Sequence, residues 1–453
     1  MTPSTKAPVP GGHAALQRRF GASAAIAMIV AEVMGAGIFL TPAGMARTLG
    51  HPGWVVSVWA VMGLLSAAGA LCYAELGSRF PEAGGGYVFL REAFGERTAF
   101  VHGWMALLVM DPGLTAALGV GLAQYMLVLF GIPSSFVPFV AIGSIIVLAL
   151  VPILGLESSA RVLRWTAIAK LGTIVALIAM AVLRSGSSES SSAIGVPAPT
   201  FAVLGGALMG AFFAFGGWWD LGKMSEEIVE PRRTLPIALV GGIAVVTTAY
   251  AGLSVVFLRA IQGHGLASDE AFVVALGDAL FGQSAARWLA AAVVVAVAGS
   301  LAAVLLGAPR VYLAMARSGV FPASLVRFDA KRQSTVRATM VQVALACVLV
   351  SIGTFDQILG YFIPAAIFFL GLSAAAILFL PRPSAESGVF RAPWHPLPIV
   401  VFLLLVIVML TLFAVGRPLQ TFIGAAVVAL GIPVSWVVVR RPRGAPPVPT
   451  PNA

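Results

Sequence analysis

Three ionisable side chains stand inside long and otherwise apolar stretches of this sequence, namely Glu32, Asp111 and Lys170. If these stretches cross a bilayer, each charge needs a partner, because a charge at the bilayer centre costs at least ~2.5–3.5 kcal/mol. A lysine ammonium can donate to the carbonyls that an interrupted helix leaves free. A buried carboxyl group can carry a proton or recognise a cation. Lys170 lies about six residues inside its stretch, which makes snorkelling to the membrane surface the second interpretation.

Two glycine clusters weaken apolar stretches at corresponding places, and both could bind a substrate. Gly35 and Gly37 interrupt the first predicted helix, and Gly216 and Gly217 interrupt the sixth. Each glycine lowers helix stability by about 1 kcal/mol relative to alanine. Unwound backbone offers N–H groups to a carboxylate and carbonyls to an ammonium group, which suits a zwitterion. Close helix packing explains either cluster alone, but the pair, five helices apart, favours a binding site between inverted repeats.

The composition places these stretches in a lipid bilayer. Of the 453 residues, 59% are hydrophobic and 10% are charged, and the mean hydropathy is +0.97. A soluble domain carries roughly 25% charged residues. Several charge-free runs have the length of roughly 20 residues that a membrane-spanning helix needs. They include Thr234–Leu258, Trp288–Pro309, Gln357–Pro381, Pro396–Gly416 and Pro418–Val439. Since no run alternates like a barrel strand, the predicted fold class is an all-α integral membrane protein.

We predict about 12 transmembrane helices. They cover residues 21–46, 52–75, 100–130, 134–154, 165–183, 200–222, 234–258, 288–308, 338–355, 357–380, 396–415 and 418–439. If the N-terminus is cytoplasmic, most Lys and Arg residues fall on cytoplasmic segments. The exceptions are Arg47, Arg184, Arg259, Arg287 and Arg417 outside, and Lys170 within a helix. This bias predicts that both termini are cytoplasmic, and it explains the net charge of +10 without a nucleic-acid partner.

The segments outside the helices predict a simple organisation. Residues 1–19 form a cytoplasmic tail without a separate apolar core and cleavage site, so we expect no cleaved signal peptide. Residues 20–395 form the core, residues 396–439 form two additional helices, and residues 440–453 form a second cytoplasmic tail. Cys72 and Cys347 both fall inside predicted helices, so the sequence predicts no disulfide framework.

Several motifs resemble those of a known family of transporters. Gly35-Ala-Gly-Ile-Phe39 matches the Gly-x-Gly-Ile/Val-Phe signature of the amino acid–polyamine–organocation superfamily. Phe213-Ala-Phe-Gly-Gly-Trp218, followed by Glu226-Glu-Ile and Pro231-Arg-Arg-Thr-Leu-Pro236, resembles the L-type amino acid transporter branch. Three further stretches agree, and they are Tyr73-Ala-Glu-Leu-Gly77, Pro309-Arg-Val-Tyr-Leu-Ala-Met-Ala-Arg-Ser-Gly319 and Phe390-Arg-Ala-Pro393. Each motif alone is weak, but together and in the family's order they are specific.

The resemblance implies the leucine-transporter-type fold, with five-helix inverted repeats at about 20–184 and 200–380 followed by two C-terminal helices. It also implies a set of substrate-binding residues, which are Gly35, Ala36, Gly37, Ile38, Phe213, Ala214 and Gly216. The first-helix motif would contact the substrate carboxylate, and the sixth-helix carbonyls would contact its amino group. Phe213 would be the aromatic gate that closes over the substrate, and the alternative is a purely packing role.

The two charged residues nearest the glycine clusters raise the question of coupling. In the related branch, a lysine at the place of Lys170 stands where sodium-coupled relatives bind a cation, so we predict a cation-site mimic and sodium-independent transport. Glu32 departs from the family, which usually carries a small or apolar residue there. It could carry a proton, recognise a cationic side chain or form a static pair with Lys170, and we favour the pair over proton coupling.

Other charged residues receive structural interpretations. For Asp111 we favour the hypothesis that it satisfies backbone groups freed by Pro112. Trp219 and Asp220 stand where the branch often has other residue types, so no substrate role is carried over to either. The last group has a gating or loop-anchoring network as its interpretation, with ordinary solvated charge as the alternative. It comprises Glu226, Glu227, Arg232 and Arg233.

The resulting hypothesis is a sodium-independent secondary transporter of small or medium neutral amino acids. It would work by alternating access, either by exchange or with a proton. A polyamine or cationic amino acid carrier of the same superfamily is the alternative. A channel would need repeated polar rings, and the sequence shows neither these nor the common hydrolase motifs. We therefore expect no enzyme activity, no metal site and no cofactor.

The expected location is the plasma (inner) membrane of a bacterial-type cell. Eukaryotic L-type transporters are tethered to a partner through a cysteine between their third and fourth helices. Here that loop is Gly131–Ser135 and contains no cysteine. We therefore predict no disulfide-linked heavy chain, and the expected partners are the amino acid substrate and the lipid bilayer.

Overall fold

A computed structural model describes most of the chain. The described residues are 16–35, 37–38, 41, 45, 48–49, 51–184, 199–264, 283–326, 329, 334–353, 355–384 and 387–439. The expected tails at 1–12 and 442–453 and the predicted site residue Ala36 lie outside them.

The helices follow one another with short connections. They are α1 (Ala22–Val33), α2 (Pro52–Arg79), α3 (Gly86–Phe94), α4 (Glu96–Met105), α5 (Asp111–Phe130), α6 (Val137–Leu154), α7 (Leu156–Arg184), α8 (Phe201–Phe215), α9 (Pro231–His264), α10 (Gln283–Gly307), α11 (Pro309–Arg317), α12 (Val336–Ile352), α13 (Phe355–Phe379), α14 (Leu397–Gly416) and α15 (Pro418–Val438). Short 3-10 segments cover Ser134–Phe136, Trp218–Glu227 and Ala323–Val326.

The prediction of an all-α membrane protein is confirmed. Within the described residues, nine helical segments are long and apolar enough to cross a membrane, and α1 and α12 are shorter apolar helices. Helices α14 and α15 expose large apolar side chains such as Leu404, Val415 and Phe422. In a bilayer such a surface faces lipid rather than water, because lipid tails are as apolar as the side chains.

Both glycine clusters interrupt their helices, as predicted. Helix α1 ends at Val33, and Gly35 N–H bonds back to Val33 O over 2.7 Å instead of continuing the helix. Helix α8 ends at Phe215, and Gly217 has a φ of +113°, a conformation that favours glycine. The predicted range 200–222 was therefore wrong, because a 3-10 segment from Trp218 to Glu227 replaces the end of the helix.

The third membrane-spanning segment also contains an irregular turn. Helices α4 and α5 are joined by a π-helical turn, Ala106–Met110, directly before Asp111 and Pro112. Pro112 has no N–H group, and its ring crowds the carbonyl of the preceding turn. The wider π turn accommodates this local crowding, as such single-turn bulges do. It also fixes where the Asp111 side chain enters the bundle.

Candidate functional site: the crossing of two broken helices

The interruptions of the first and sixth segments meet in the interior of the bundle. A Cβ atom at Gly37 would lie 2.9 Å from Ala214 Cβ and even closer to the Ala214 backbone. No larger residue therefore fits at position 37 unless the α8 backbone moves. Ile38 is completely buried beside this contact. The structure thus brings Gly37 and Ala214, both predicted site residues, into direct contact.

A tyrosine joins the two broken helices at this crossing. The Tyr250 hydroxyl, on α9, lies 2.9 Å from Val33 O and 3.0 Å from Ala214 O. These carbonyls belong to the last turns of α1 and α8, where carbonyls lack their usual helical partners. Sequence reasoning missed Tyr250, although a completely buried tyrosine in an apolar helix usually has a hydrogen-bond partner.

A small cavity lies between the two interruptions. It has a volume of about 20 Å³, which is room for about one water molecule. Its walls combine predicted site residues with apolar side chains of α5 and α10. They are Glu32, Val33, Gly35, Gly37, Leu114, Leu118, Phe213, Gly216 and Val304. The cavity is too small for an amino acid, so a substrate can enter only if the surrounding helices move apart.

Lys170 lies beneath the end of α1. Its ammonium group donates to Ala31 O, and it lies 2.9 Å from Ser300 Oγ on α10. Ser300 donates to the same carbonyl over 2.7 Å. Because α1 stops at Val33, Ala31 O is one of the carbonyls at the negative end of the helix dipole. Lys170 therefore compensates its charge with backbone and hydroxyl oxygens, as a bound cation would.

Glu32 lies on the opposite side of the α1 end and does not form the expected static pair with Lys170. Within the described residues, the lysine's printed partners are the oxygens of Ala31 and Ser300, and Glu32 Oε1 has no hydrogen-bond partner. The Glu32 carboxyl group instead faces the Asp220 carboxyl group. Gly217 makes room for it, since a Cβ atom there would lie 2.7 Å from Glu32 Cγ.

A second buried lysine holds the neighbouring acids. Lys223 Nζ lies 2.9 Å from Asp111 Oδ1 and 2.9 Å from Asp220 Oδ1. Tyr312 on α11 donates to Asp111 Oδ2 over 3.0 Å. The hypothesis that Asp111 satisfies backbone groups beside Pro112 is therefore wrong. Lys223 was counted among the cytoplasmic charges, but its side chain is only 5% exposed because the broken sixth segment turns it inward.

Two more ion pairs fix the far end of the 3-10 segment. Arg310 Nε lies 2.8 Å from Glu227 Oε1, with both side chains almost completely buried, and Arg317 lies 2.5 Å from Glu226. The predicted loop-anchoring network exists for these glutamates, but its cations come from α11. Arg232 instead donates to Ser387 O. The Pro309 to Gly319 motif was the sequence signal for these two arginines, but its partners could not be deduced from it.

The structure gathers most of the predicted site residues around one cavity. Glu32, Gly35, Gly37, Phe213 and Gly216 line it. Ile38, Ala214 and Lys170 pack behind these residues, and Phe213 is half-buried at the cavity wall. The residues that the sequence did not assign to the site are Leu114, Leu118, Tyr250, Ser300 and Val304.

A bundle of membrane-spanning helices with two interrupted helices around a central cavity defines a membrane transporter. A family model described as amino acid permease matches residues 20–436. The chain therefore belongs to the amino acid permease family, as its motifs indicated, and it is a multi-pass membrane transporter rather than an enzyme.

Curated relatives cover nearly the whole chain. The cystine/glutamate transporter of Homo sapiens is 27% identical over 94% of this chain and 87% of the relative. The large neutral amino acids transporter small subunit 2 of Homo sapiens is 28% identical, covering 95% of this chain and 82% of the relative. The serine/threonine exchanger SteT of Bacillus subtilis (strain 168) is 27% identical, covering 84% and 87%. None of these names supports the polyamine alternative.

Proposed function

We propose that this protein carries small and medium neutral amino acids across the membrane without sodium, exchanging substrate on one side for substrate on the other. The cavity at the crossing of α1 and α8 is the substrate site. Backbone groups at the two interruptions bind the amino and carboxyl groups that all amino acids share. Phe213, which lines the cavity, acts as the gate that closes over the substrate.

The observation that carries this proposal is the apolar wall of the cavity. Leu114 and Leu118 on α5 face it, as does Val304 on α10. An apolar wall favours uncharged side chains, because a polar or charged group buried there would lose its hydration without gaining a partner. The names of the relatives, which include neutral amino acid transporters and an exchanger, agree with this choice.

Sodium independence rests on Lys170. Its ammonium group occupies the end of α1 and uses the Ala31 carbonyl and the Ser300 hydroxyl as acceptors. A sodium ion would need the same oxygens, so a permanent protein cation takes its place. The charge that holds α1 in its interrupted form then comes from the chain and not from a coupling ion.

The test is uptake into proteoliposomes in a sodium-free buffer. Radiolabelled neutral, cationic and acidic amino acids and polyamines are offered to vesicles that are empty or preloaded with the same compound. We expect the largest stimulation by preloading for small and medium neutral amino acids, and no further stimulation by sodium. Exchange restricted to polyamines or cationic amino acids would contradict the proposal.

A size change in the wall tests the location of the site. Leu114→Phe reduces the space that α5 leaves for the substrate side chain. Because one methylene changes discrimination about 10-fold or more, medium substrates should lose roughly that factor relative to small ones. The matched control is Leu64→Phe, since Leu64 is 67% exposed on the outer face of α2. Equal losses for small and medium substrates in Leu114→Phe would place the site elsewhere.

The location and assembly follow as parts of the same proposal. We propose the plasma (inner) membrane with both termini in the cytoplasm, in line with the distribution of Lys and Arg. We also propose that no disulfide-linked heavy chain is needed, since Cys72 and Cys347 lie within α2 and α12 and not in the loop after α5. A covalent partner on a non-reducing gel would contradict this part.

A further inference from the structure

An acidic cluster lies beside the substrate cavity, and it consists of Glu32, Asp111 and Asp220 together with Lys223. Its members come from three separated parts of the chain, since Glu32 is on α1, Asp111 begins α5, and the other two lie in the 3-10 segment after α8. Each is at least 95% buried. Lys223 lies within 2.9 Å of both aspartates, so three carboxyl groups share one adjacent ammonium group.

The hydrogen bonds of the cluster are distributed unequally. Asp111 accepts from Lys223 and Tyr312. The two oxygens of Asp220 and Glu32 Oε1 accept no hydrogen bond from the described residues. Lys223 lies beside Asp220 at ion-pair distance but is not aligned for a hydrogen bond. Two carboxyl groups that face one another, both short of donors, are the arrangement in which one proton is shared.

The charge balance leads to the same conclusion. Lys223 compensates one of the three carboxylates, and Lys170 faces Glu32 only from beyond the end of α1. An uncompensated carboxylate at this depth in a membrane is costly. The other titratable groups packed around the pair are neutral donors or lie farther along the cluster. They are Tyr73 on α2, His102 on α4, Tyr250 on α9 and Tyr312 on α11.

On these grounds we propose that Glu32 and Asp220 share one proton beside the substrate cavity, and that this proton crosses the membrane with the amino acid. The inference rests on the proposed transport function and adds the coupled ion. The proton is held by one carboxyl oxygen and donated to the facing carboxyl group, so no other bond changes. It enters from water on the side to which the cavity is open and leaves to water on the other side.

Other cations fit the cluster less well than a proton. The adjoining cavity of about 20 Å³ has no room for a cationic side chain, and Lys223 would repel one. The described part of the chain contains no group of three His, Cys, Asp or Glu residues arranged to hold a metal ion. A proton needs no volume, and it removes the excess negative charge that the geometry leaves on Glu32 and Asp220.

The experiment measures net uptake of a neutral amino acid into empty proteoliposomes with and without an inward proton gradient. One pH unit across the membrane corresponds to about a 10-fold change in accumulation for one coupled proton, so wild-type protein should approach that stimulation. E32Q and D220N should lose the stimulation when uptake is normalised to each variant's own exchange rate with preloaded vesicles. Glu92→Gln, an exposed glutamate beyond the cluster, is the matched control and should keep it.

The two arms separate the two proposals. Exchange without any effect of the proton gradient in wild-type protein would overturn the proton inference and leave the proposed function intact, as would full stimulation in E32Q. Should the variants not fold, infrared spectroscopy of wild-type protein near neutral pH decides. A protonated carboxyl band that shifts in D₂O supports the shared proton, and its absence overturns it.

Discussion

The two lysines buried in this protein are held in different ways. Lys170 has a backbone carbonyl and a serine hydroxyl as partners, whereas Lys223 lies between two aspartates. Both side chains are at least 95% buried. The partners of Lys170 exist only because α1 stops at Val33, while those of Lys223 are carboxylates with charges of their own. Lys170 therefore depends on the shape of the backbone, and Lys223 depends on the charges of its neighbours.

This difference predicts different roles during transport. If α1 tilts or rewinds when the cavity opens, Ala31 O moves, and the bonds to Lys170 change with it. The ion pairs of Lys223 join α5 to the 3-10 segment after α8 and can persist as long as these two segments stay together. We therefore expect Lys170 to act on the conformational change and Lys223 to act on the stability of the fold.

The largest effect is expected for Lys223→Met. It leaves Asp111 and Asp220 buried without a cation, and breaking a buried ion pair from one side costs about 3–5 kcal/mol. The midpoint of thermal unfolding in detergent should fall strongly. Adding Asp111→Asn and Asp220→Asn to the same protein should restore part of the loss. An unchanged midpoint in the single variant would mean that the carboxylates do not need this lysine.

The same substitution at the other lysine should have a smaller effect on stability and a larger effect on transport relative to it. Lys170→Met leaves no unpaired carboxylate at hydrogen-bond distance, and Ser300 still donates to Ala31 O. Loss of a hydrogen bond from a charged group costs about 1.5–3 kcal/mol. If that term acts on the conformational step, exchange should slow at least about 10-fold.

The control for Lys170→Met is Arg164→Met, an exposed cation on the same helix that should leave exchange unchanged. Exchange at the wild-type rate in Lys170→Met would remove the idea that this lysine replaces a coupling cation. A fall in the unfolding midpoint as large as that of Lys223→Met would contradict the contrast between the two lysines.

The smallest effect is expected for Tyr250→Phe. It removes only the hydroxyl group that lies between Val33 O and Ala214 O, while the ring keeps its contacts with Trp59 and Phe215. A neutral hydrogen bond contributes about 0.5–1.5 kcal/mol, so the unfolding midpoint should fall slightly. Exchange should slow if the hydroxyl group aligns the two interrupted helices. No change in either quantity would show that packing alone holds the crossing.

Much of the site could be predicted because glycine has a direct structural meaning. Gly35, Gly37, Gly216 and Gly217 interrupt their helices where the sequence suggested, since each glycine weakens a helix regardless of what packs against it. The side chain of Lys170 was also predictable in kind, because an ammonium group in an apolar helix needs acceptors. The partners of Asp111 and Lys223 were not, since they depend on how far the sixth segment unwinds after Phe215.

The sequence by itself determined the membrane environment, the helical fold class and the two interrupted helices, because hydropathy, charge content and glycine act locally along the chain. Its motifs also identified the family. Only the tertiary structure decided which charges meet, because such contacts join residues far apart in sequence. It separated Glu32 from Lys170 and brought it to Asp220, and it turned Lys223 inward between two aspartates. In a membrane interior, where each charge must find a partner, these long-range contacts determine what the site can bind.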